Sequence, residues 1–170
     1  MARADLNRVP SYYHKYIDQV AENDLATAFA RQTPLVVQFL EILPTNKRDY
    51  RYEEGKWTVK EVLQHIIDAE RIFAYRALCF ARKDATSLPS FDENNYANNS
   101  KASQRNWDDL VEEFKVVRKG TEALFHSFDG EQLETAGTAS GHSNYVLGIG
   151  YIIAGHAQHH LNILKERYLK

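Results

Sequence analysis

Residues 144–168 read NYVLGIGYIIAGHAQHHLNILKERY, and this stretch decides the fold class. Apolar side chains recur in it every three or four residues, which is the spacing of a helix that buries one face. The buried stripe is formed by Val146, Ile149, Ile153, His156, His160 and Ile163. The sequence therefore predicts a helix from Asn144 to Tyr168 whose core-facing side carries two histidines.

The two histidines indicate a metal site. His156 and His160 lie one helical turn apart, so both imidazoles project from the same face of the helix. Polar groups on a core face cost free energy unless a partner satisfies them, and a divalent metal held by both rings would do so. His65 lies on the inward face of another predicted helix and completes a group of three. For each residue taken alone, a hydrogen-bonded core histidine is the alternative.

Three further residues are candidates for supporting the metal ligands without touching the metal. On a helical wheel, His159 lies about 60° and about 100° from the two histidines of the stripe, toward its edge. A metal-bound imidazole usually donates its other N–H to a carboxylate, a backbone carbonyl or water. Asp68, three residues after His65, and Glu61, one turn before it, are the nearest acidic candidates. Glu61 also has a simpler explanation, because it completes a capping box with Thr58.

The rest of the chain predicts three more helices and an all-α four-helix bundle. These helices run from Asp24 to Leu43, from the N-cap Thr58 to Arg82–Asp84, and from Gln104 to Phe128. Pro34 either kinks the first of them or marks the start of a separate helix at Thr33–Pro34. The polar stretch 84–103 has no predicted structure of its own. It is long enough to cross the whole bundle, which would make the second and third helices parallel. We expect this long crossover loop to cover one end of the site.

The ligand set predicts an open, catalytic type of site. Three neutral imidazoles with a fourth position left to water form the layout of a catalytic zinc centre. Nickel, cobalt and iron also accept imidazole, and zinc and nickel are the leading candidates. The Glu-x-x-His pair of a di-iron bundle does not occur. Arg76, on the inward face of the second helix, is expected to form a buried ion pair with an acid of the third helix such as Glu113.

The composition bounds the number of domains and the classes of partner. The 170 residues predict one domain, and hydrophobic residues at 44% suffice for a full core. A net charge of −2 indicates neither nucleic acid nor an anionic membrane as a partner. The single cysteine, Cys79, excludes an internal disulfide. No apolar run fits a signal peptide or a membrane span, so we expect a cytoplasmic protein. The sequence does not decide whether the chain forms a homodimer through an exposed helical face.

Four stretches of the chain resemble the DinB/YfiT-like superfamily of small metalloenzymes over nearly the whole length. They are Gly55–Glu61 leading to His65, Asp68–Arg71 leading to Arg76, Leu88–Glu93 with Tyr96, and Gly155–His160 ending in Glu166–Tyr168. The likeness is specific when the first and the last of these stretches occur together.

The resemblance implies a four-helix bundle with an up-down-down-up course and a divalent metal held by His65, His156 and His160. It further implies a small-molecule substrate, because characterised members include S-transferases that use the low-molecular-weight thiols bacillithiol or mycothiol, and a mycothiol-dependent isomerase. Thiol-dependent S-transfer is therefore the leading expectation. A hydrolase that uses a metal-bound hydroxide and a non-enzymatic metal- or ligand-binding bundle are the alternatives.

Overall fold

The helices of the computed structural model, which describes residues 2–169, lie close to the predicted positions. Within that range the α-helices are α1 (His14–Ile17), α2 (Leu25–Glu41), α3 (Val59–Ala81), α4 (Glu93–Asn99), α5 (Trp107–His126), α6 (Gly130–Glu134) and α7 (Val146–Ile163). Short 3₁₀-helices span Leu6–Arg8, Ser11–Tyr13, Thr45–Lys47 and Ala102–Gln104, and a π-helical turn, Leu164–Tyr168, follows α7. Strands β1 (Ala136–Ala139) and β2 (His142–Tyr145) form an antiparallel hairpin. The prediction of a helical bundle built on four long helices is confirmed.

The starts of the helices follow local capping chemistry. The side chain of Thr58 accepts a hydrogen bond from the Glu61 N–H, and the Glu61 carboxylate accepts one from the Thr58 N–H, which confirms the predicted capping box. The Asp92 side chain caps α4 by accepting hydrogen bonds from the N–H groups of Asn94 and Asn95. Pro34 lies inside one continuous helix, so the alternative of a separate helix starting there is wrong.

Helices α3 and α5 run in the same direction. Arg105, just before α5, donates a hydrogen bond of 2.6 Å to Gln64 in the first part of α3. Further along both helices, Arg118 pairs with Glu70. Because both sequence numbers increase together along the contact, the two helices are parallel, and the connection between them has to return along the bundle.

Helices α2 and α7 run opposite to that pair. The Tyr168 hydroxyl, just after α7, donates a hydrogen bond of 2.8 Å to the carbonyl oxygen of Trp57, just before α3. The indole N–H of Trp107, at the start of α5, donates one of 3.2 Å to the carbonyl oxygen of Leu40, near the end of α2. The bundle therefore has the up-down-down-up course.

The connection from α3 to α5 has structure of its own, unlike the loop expected from the sequence. It contains α4, which packs on α3. Leu88 donates its N–H to the carbonyl oxygen of Thr138 at 3.0 Å and accepts one from Ser140 at 2.9 Å, so the segment is joined to the hairpin. Near its end, the carbonyl oxygen of Ser103 accepts a hydrogen bond from Lys60 at 3.3 Å. The polar stretch is held at both ends by backbone hydrogen-bonding groups.

A buried polar layer joins all four long helices. Arg118 and Glu70 form a bidentate ion pair with two distances of 2.9 Å, and their side chains are 0% and 2% exposed. Gln32 accepts a hydrogen bond of 3.0 Å from Arg118 and donates one of 2.7 Å to the carbonyl oxygen of Ala154. Helices α2, α3, α5 and α7 each contribute one member of this layer.

The polar layer separates two apolar clusters of the core. One cluster contains Phe29, Phe73, Phe125 and Ile153, and the other contains Val36, Ile67, Phe114 and Ala157. On each long helix, the layer residue stands between members of the two clusters.

The most completely buried helix is α7, whose residues from Val146 to Ala157 are all buried. Even so, no helix among residues 2–169 combines the length and hydropathy needed to cross a bilayer.

Replacing Glu70 by Gln tests the buried pair. The variant should lower the free energy of unfolding by about 3 kcal/mol, because it leaves the Arg118 charge buried without a counter-ion. Arg71→Gln is the matched control, because Arg71 follows Glu70 on α3 and forms a half-exposed ion pair with Glu113 of α5. Loss of this exposed pair should lower the free energy of unfolding by less than about 1 kcal/mol. Denaturation in guanidinium chloride measures both. Equal losses for the two variants would contradict the role of the layer.

Candidate metal centre

Three imidazoles from two helices converge on one point. His65 comes from α3, and His156 and His160 come from α7. The Nε2 atom of His156 lies 3.0 Å from that of His65 and 3.1 Å from that of His160. One ligand atom from each ring lies within 4.8 Å of the others. The structure thus brings together the three residues that the helical spacing singled out as metal ligands.

Aromatic rings hold two of these imidazoles in place. The Trp57 ring packs against His65 at a tilt of 45° with a centroid distance of 4.7 Å, and the Tyr16 ring meets His156 edge-on at 5.3 Å. Gly155 makes the second contact possible, because a Cβ atom at this position would stand 2.1 Å from the backbone oxygen of Tyr16. The absence of a side chain there lets the N-terminal segment pack directly on α7.

Burial keeps all three imidazoles neutral. It lowers the pKa of His65 from 6.5 to about 4. Burial, reinforced by the neighbouring histidines, also lowers the pKa values of His156 and His160 well below 6.5. Neutral imidazole is the form that binds a metal ion, so no proton has to be removed at neutral pH.

The geometry and chemistry of the group fit a divalent metal. Zinc–nitrogen bonds of 2.0–2.1 Å in a tetrahedral site put ligand atoms about 3.3 Å apart. The observed separations of 3.0 and 3.1 Å lie within a few tenths of an ångström of that value. Among residues 2–169, no cysteine, carboxylate or fourth histidine joins the group. A metal held here would keep a coordination position open, as catalytic zinc sites do.

The histidine group lies in the wall of a cavity of about 310 Å³. Aromatic side chains provide most of the remaining wall, namely Tyr12, Tyr13, Tyr16, Trp57, Phe73 and Phe91. Arg76, Glu93 and Ser140 add polar groups. Phe91 and Glu93 belong to the connection between α3 and α5, so the predicted crossover segment does contribute to the site. The cavity has the size and composition of a small-molecule site.

The other candidates from the sequence lie outside the group of three. Glu61 is engaged in its capping box with Thr58. Asp68 accepts a hydrogen bond of 2.9 Å from Gln64, and burial raises its pKa. His159 is partly exposed, and its Nδ1 lies 3.2 Å from the side-chain nitrogen of Gln19. In the part of the chain that the structure describes, none of the three candidates hydrogen-bonds to a ring of the group.

The expected ion pair between Arg76 and Glu113 is wrong. Arg76 donates hydrogen bonds to the carbonyl oxygen of Pro89 at 2.7 Å and to the Ser140 hydroxyl at 3.0 Å. Glu113 instead pairs with Arg71 and with an arginine just before α5. The helical wheel correctly predicted that Arg76 is buried. It could not predict the partners of Arg76, because Pro89 and Ser140 lie in segments without a helical period.

Two parts of the cavity wall were not predicted from the sequence. Trp57 fits a hydrophobic staple next to the capping box, which explains the residue without reference to His65. The tyrosines of the N-terminal segment lie in a short 3₁₀-helix and in α1, which are too short to show a period. The signal that could have identified them is the density of aromatic residues in Tyr12, Tyr13 and Tyr16.

Comparison with known proteins supports the fold. Residues 6–164 match the sequence model of the DinB superfamily. No curated protein matched the chain. Among solved structures, the chain is similar to YfiT from Bacillus subtilis, described as "a probable metal-dependent hydrolase with an unusual four-helix bundle topology". The TM-score is 0.72 at 15% identity, over 97% of this chain and 91% of that chain. At this identity, the likeness concerns the fold.

Metal analysis of the purified, untagged protein tests the ligand set. About one zinc or nickel ion per chain is expected for the wild type and for His159→Ala, because His159 lies outside the group. His65→Ala, His156→Ala and His160→Ala should each lose the ion, since removing one of three imidazoles leaves too few ligands for tight binding. Elemental analysis after dialysis gives the stoichiometry. Equal metal loss in His159→Ala, or retention in His156→Ala, would contradict this assignment.

Acid should destabilise the metal-free chain in a way that depends on these histidines. In the unfolded chain they take up protons near pH 6.5, whereas the folded chain keeps them neutral to lower pH. Stability is therefore complete above pH 6.5 and declines as the pH falls toward 4, by at most about 1.4 kcal/mol per pH unit for each histidine.

The comparison of wild type with His65→Gln, in a chelator and at a series of pH values, isolates one histidine. The variant should show a shallower fall in the free energy of unfolding, measured in guanidinium chloride. Identical pH profiles would show that His65 titrates with the same pKa in both states.

Proposed function

The chain belongs to the DinB superfamily, and from this and its histidine group we propose that it is a metal-dependent enzyme acting on a small molecule. The observation that carries the proposal is the convergence of three imidazoles, two buried and one partly buried, in a cavity wall, without a fourth histidine, cysteine or carboxylate among residues 2–169. A structural zinc site is normally closed by four protein ligands. A metal held by these three residues would have a free coordination position, and the residues line a cavity that can take a substrate.

Each part of the wall has a separate role in this proposal. His65, His156 and His160 hold zinc or nickel, and the rings of Trp57 and Tyr16 fix the directions of two imidazoles. When bound, such an ion lowers the pKa of a thiol or a water and so supplies a nucleophile at neutral pH. The aromatic wall excludes bulk water and offers apolar surface to the substrate.

We favour transfer of a low-molecular-weight thiol to an electrophile. In that reaction the thiol sulfur forms a bond to an electrophilic carbon, the leaving group departs with the electron pair of its bond, and the thiol proton passes to solvent. The sulfur has to come from a second substrate, because Cys79 is buried elsewhere in the core and does not line the cavity.

The lack of a nearby carboxylate supports a thiol over water as the nucleophile. Of the residues that line the cavity, Glu93 alone carries a carboxylate, and its side chain is exposed. Burial raises the pKa values of Tyr13 and Tyr16, so their hydroxyls stay protonated and serve as donors. A thiol needs less help from a base than water does, because its unperturbed pKa is about 8.5 and that of water about 15.7.

Metal-dependent hydrolysis is the second candidate. It is favoured by the similarity of the fold to YfiT, which is described as a probable metal-dependent hydrolase. The same three ligands and the same open position serve both reactions. They differ in whether turnover needs a thiol.

Turnover assays with the zinc- or nickel-loaded protein decide between the two. We expect release of chloride from chlorodinitrobenzene in the presence of bacillithiol, mycothiol, glutathione or cysteine, with a rate in His156→Ala no higher than the uncatalysed one. His159→Ala, the matched control on the same helix, should stay active because its imidazole is not a ligand.

Hydrolysis is measured in parallel on nitrophenyl acetate without any thiol. Turnover of the ester that equals or exceeds thiol transfer, and that His156→Ala abolishes, would replace S-transfer by hydrolysis. No turnover in either assay by a chain that holds one metal per molecule would count against both reactions for these substrates and favour a metal- or ligand-binding role.

A further inference from the structure

Arg76 is a buried cation without a counter-ion. Only 4% of the residue is exposed. It donates hydrogen bonds through one nitrogen, Nη2, to the carbonyl oxygen of Pro89 and to the Ser140 hydroxyl. The Tyr13 hydroxyl also interacts with the guanidinium, and all three of these groups are neutral. No carboxylate in residues 2–169 lies within ion-pair distance of its guanidinium. Buried charges in proteins are normally paired, because an unpaired one loses its hydration without compensation.

The other fully buried arginine of the bundle shows what is missing. Arg118 is equally enclosed, but it has the bidentate carboxylate of Glu70 and the amide oxygen of Gln32 as partners. Within the described residues, the fold therefore provides a carboxylate counter-ion for Arg118 but none for Arg76. The difference between the two positions is that Arg76 lines the cavity of the histidine group.

The guanidinium of Arg76 is within reach of a small substrate bound at the histidines. Its Cζ atom lies 5.6 Å from the centroid of the Phe73 ring, and that centroid lies 6.3 Å from the centroid of the His156 ring. The guanidinium and the His156 ring are therefore at most about 12 Å apart, joined by an apolar wall. An arginine side chain in a helix points back toward the N-terminus, which on α3 is the direction of His65.

We propose that Arg76 binds a carboxylate of the substrate, so that the enzyme acts on small molecules whose reactive group is joined to a carboxylate by a short apolar or aromatic spacer. This inference rests on the proposed function, since it assumes that the reacting group lies at the histidines. The Nε and Nη1 edge of a guanidinium matches the two oxygens of a carboxylate. Arg76 is a substrate-binding residue in this proposal and takes no part in bond breaking.

The charge of the cavity favours a carboxylate over a phosphate. Glu93 lines the same cavity, and its charge acts on Tyr13 and Tyr16. A carboxylate neutralises the single charge of Arg76, whereas a phosphate dianion would leave one negative charge uncompensated beside Glu93. On its other side, Arg76 borders a separate void of about 20 Å³, which has room for about one water molecule and excludes a larger anion. The anion therefore has to approach from the main cavity.

A purely structural role for Arg76 makes a different prediction. The residue ties the connection between α3 and α5 to the hairpin, through Pro89 and Ser140, and this contact alone would give it a reason to be buried. A structural tie would not distinguish an acid from a neutral molecule of the same shape. The binding of such a matched pair is therefore the decisive measurement.

The test compares fluorobenzoate with its neutral amide, fluorobenzamide, by fluorine NMR titration of the full-length protein in zinc-loaded and metal-free form. Wild type should bind the acid at least about tenfold more tightly than the amide, the size expected for one charge-assisted contact. Arg76→Gln should bind the two equally, and Arg76→Lys should keep part of the preference. Arg71→Gln, the matched control on the exposed face of α3, should behave as wild type. Glu93→Gln should tighten binding of the acid, because it removes a like charge.

Three results would overturn the proposal. One is equal binding of acid and amide by the wild type, a comparison that needs no variant and so holds even if the Arg76 variants do not fold. Another is a preference that disappears on removal of zinc, because the carboxylate then binds the metal. The third is an unchanged preference in folded Arg76→Gln, with folding checked by circular dichroism. Failure of the proposed function has a separate signature, which is a chain without metal or turnover.

Discussion

The buried ion pair between Arg118 and Glu70 fixes the arrangement on which the rest of the structure depends. Through Gln32 it joins α2, α3, α5 and α7 at one level of the bundle. A slip of α3 along α5 would leave a charge buried without its partner, which is strongly unfavourable. A slip of α2 or α7 would break a buried hydrogen bond of Gln32, which also costs free energy. Apolar side chains alone would tolerate such slips far better, because hydrophobic contacts are not directional. The polar layer thus selects one register from several that the apolar stripes would permit.

That register is what assembles the metal centre. On α3, His65 precedes Glu70 by five residues, and on α7, His156 follows Ala154 by two. Because α3 and α7 are antiparallel, fixing Glu70 and Ala154 at the same level brings the two histidines to the same side of the layer. The sequence therefore predicted only part of the geometry that brings the three histidines together. The spacing of His156 and His160 on one helix gives their shared face directly, whereas the position of His65 relative to them follows from how the helices pack.

Helical period predicted the long elements and failed for the short ones. The boundaries of α3 and α7 and the capping box of Thr58 are encoded locally, by side chains one turn apart. Helical period does not predict that Arg118 is buried, because the charged residues of Glu112–Lys119 are typical of a solvent-exposed helix face. Arg76 was placed at the correct depth but given the wrong partner, since its acceptors lie on segments without a period. The hairpin turns at Ser140 and Gly141 with positive φ at both, and its strands are too short to show alternation.

The division between predictable and unpredictable parts has a functional consequence. The three imidazoles come from long helices that are locked by the buried layer, and such rigid elements position metal ligands well. Other parts of the cavity wall come from the N-terminal segment, the α3–α5 connection and the hairpin. The connection contacts the hairpin through the backbone groups of Leu88 and through Arg76. Segments of this kind can change in length and sequence without disturbing the bundle. The long helices therefore hold the three imidazoles, whereas the segments around them complete the cavity and supply the hydrogen-bond acceptors of Arg76, the residue that we propose to bind the substrate.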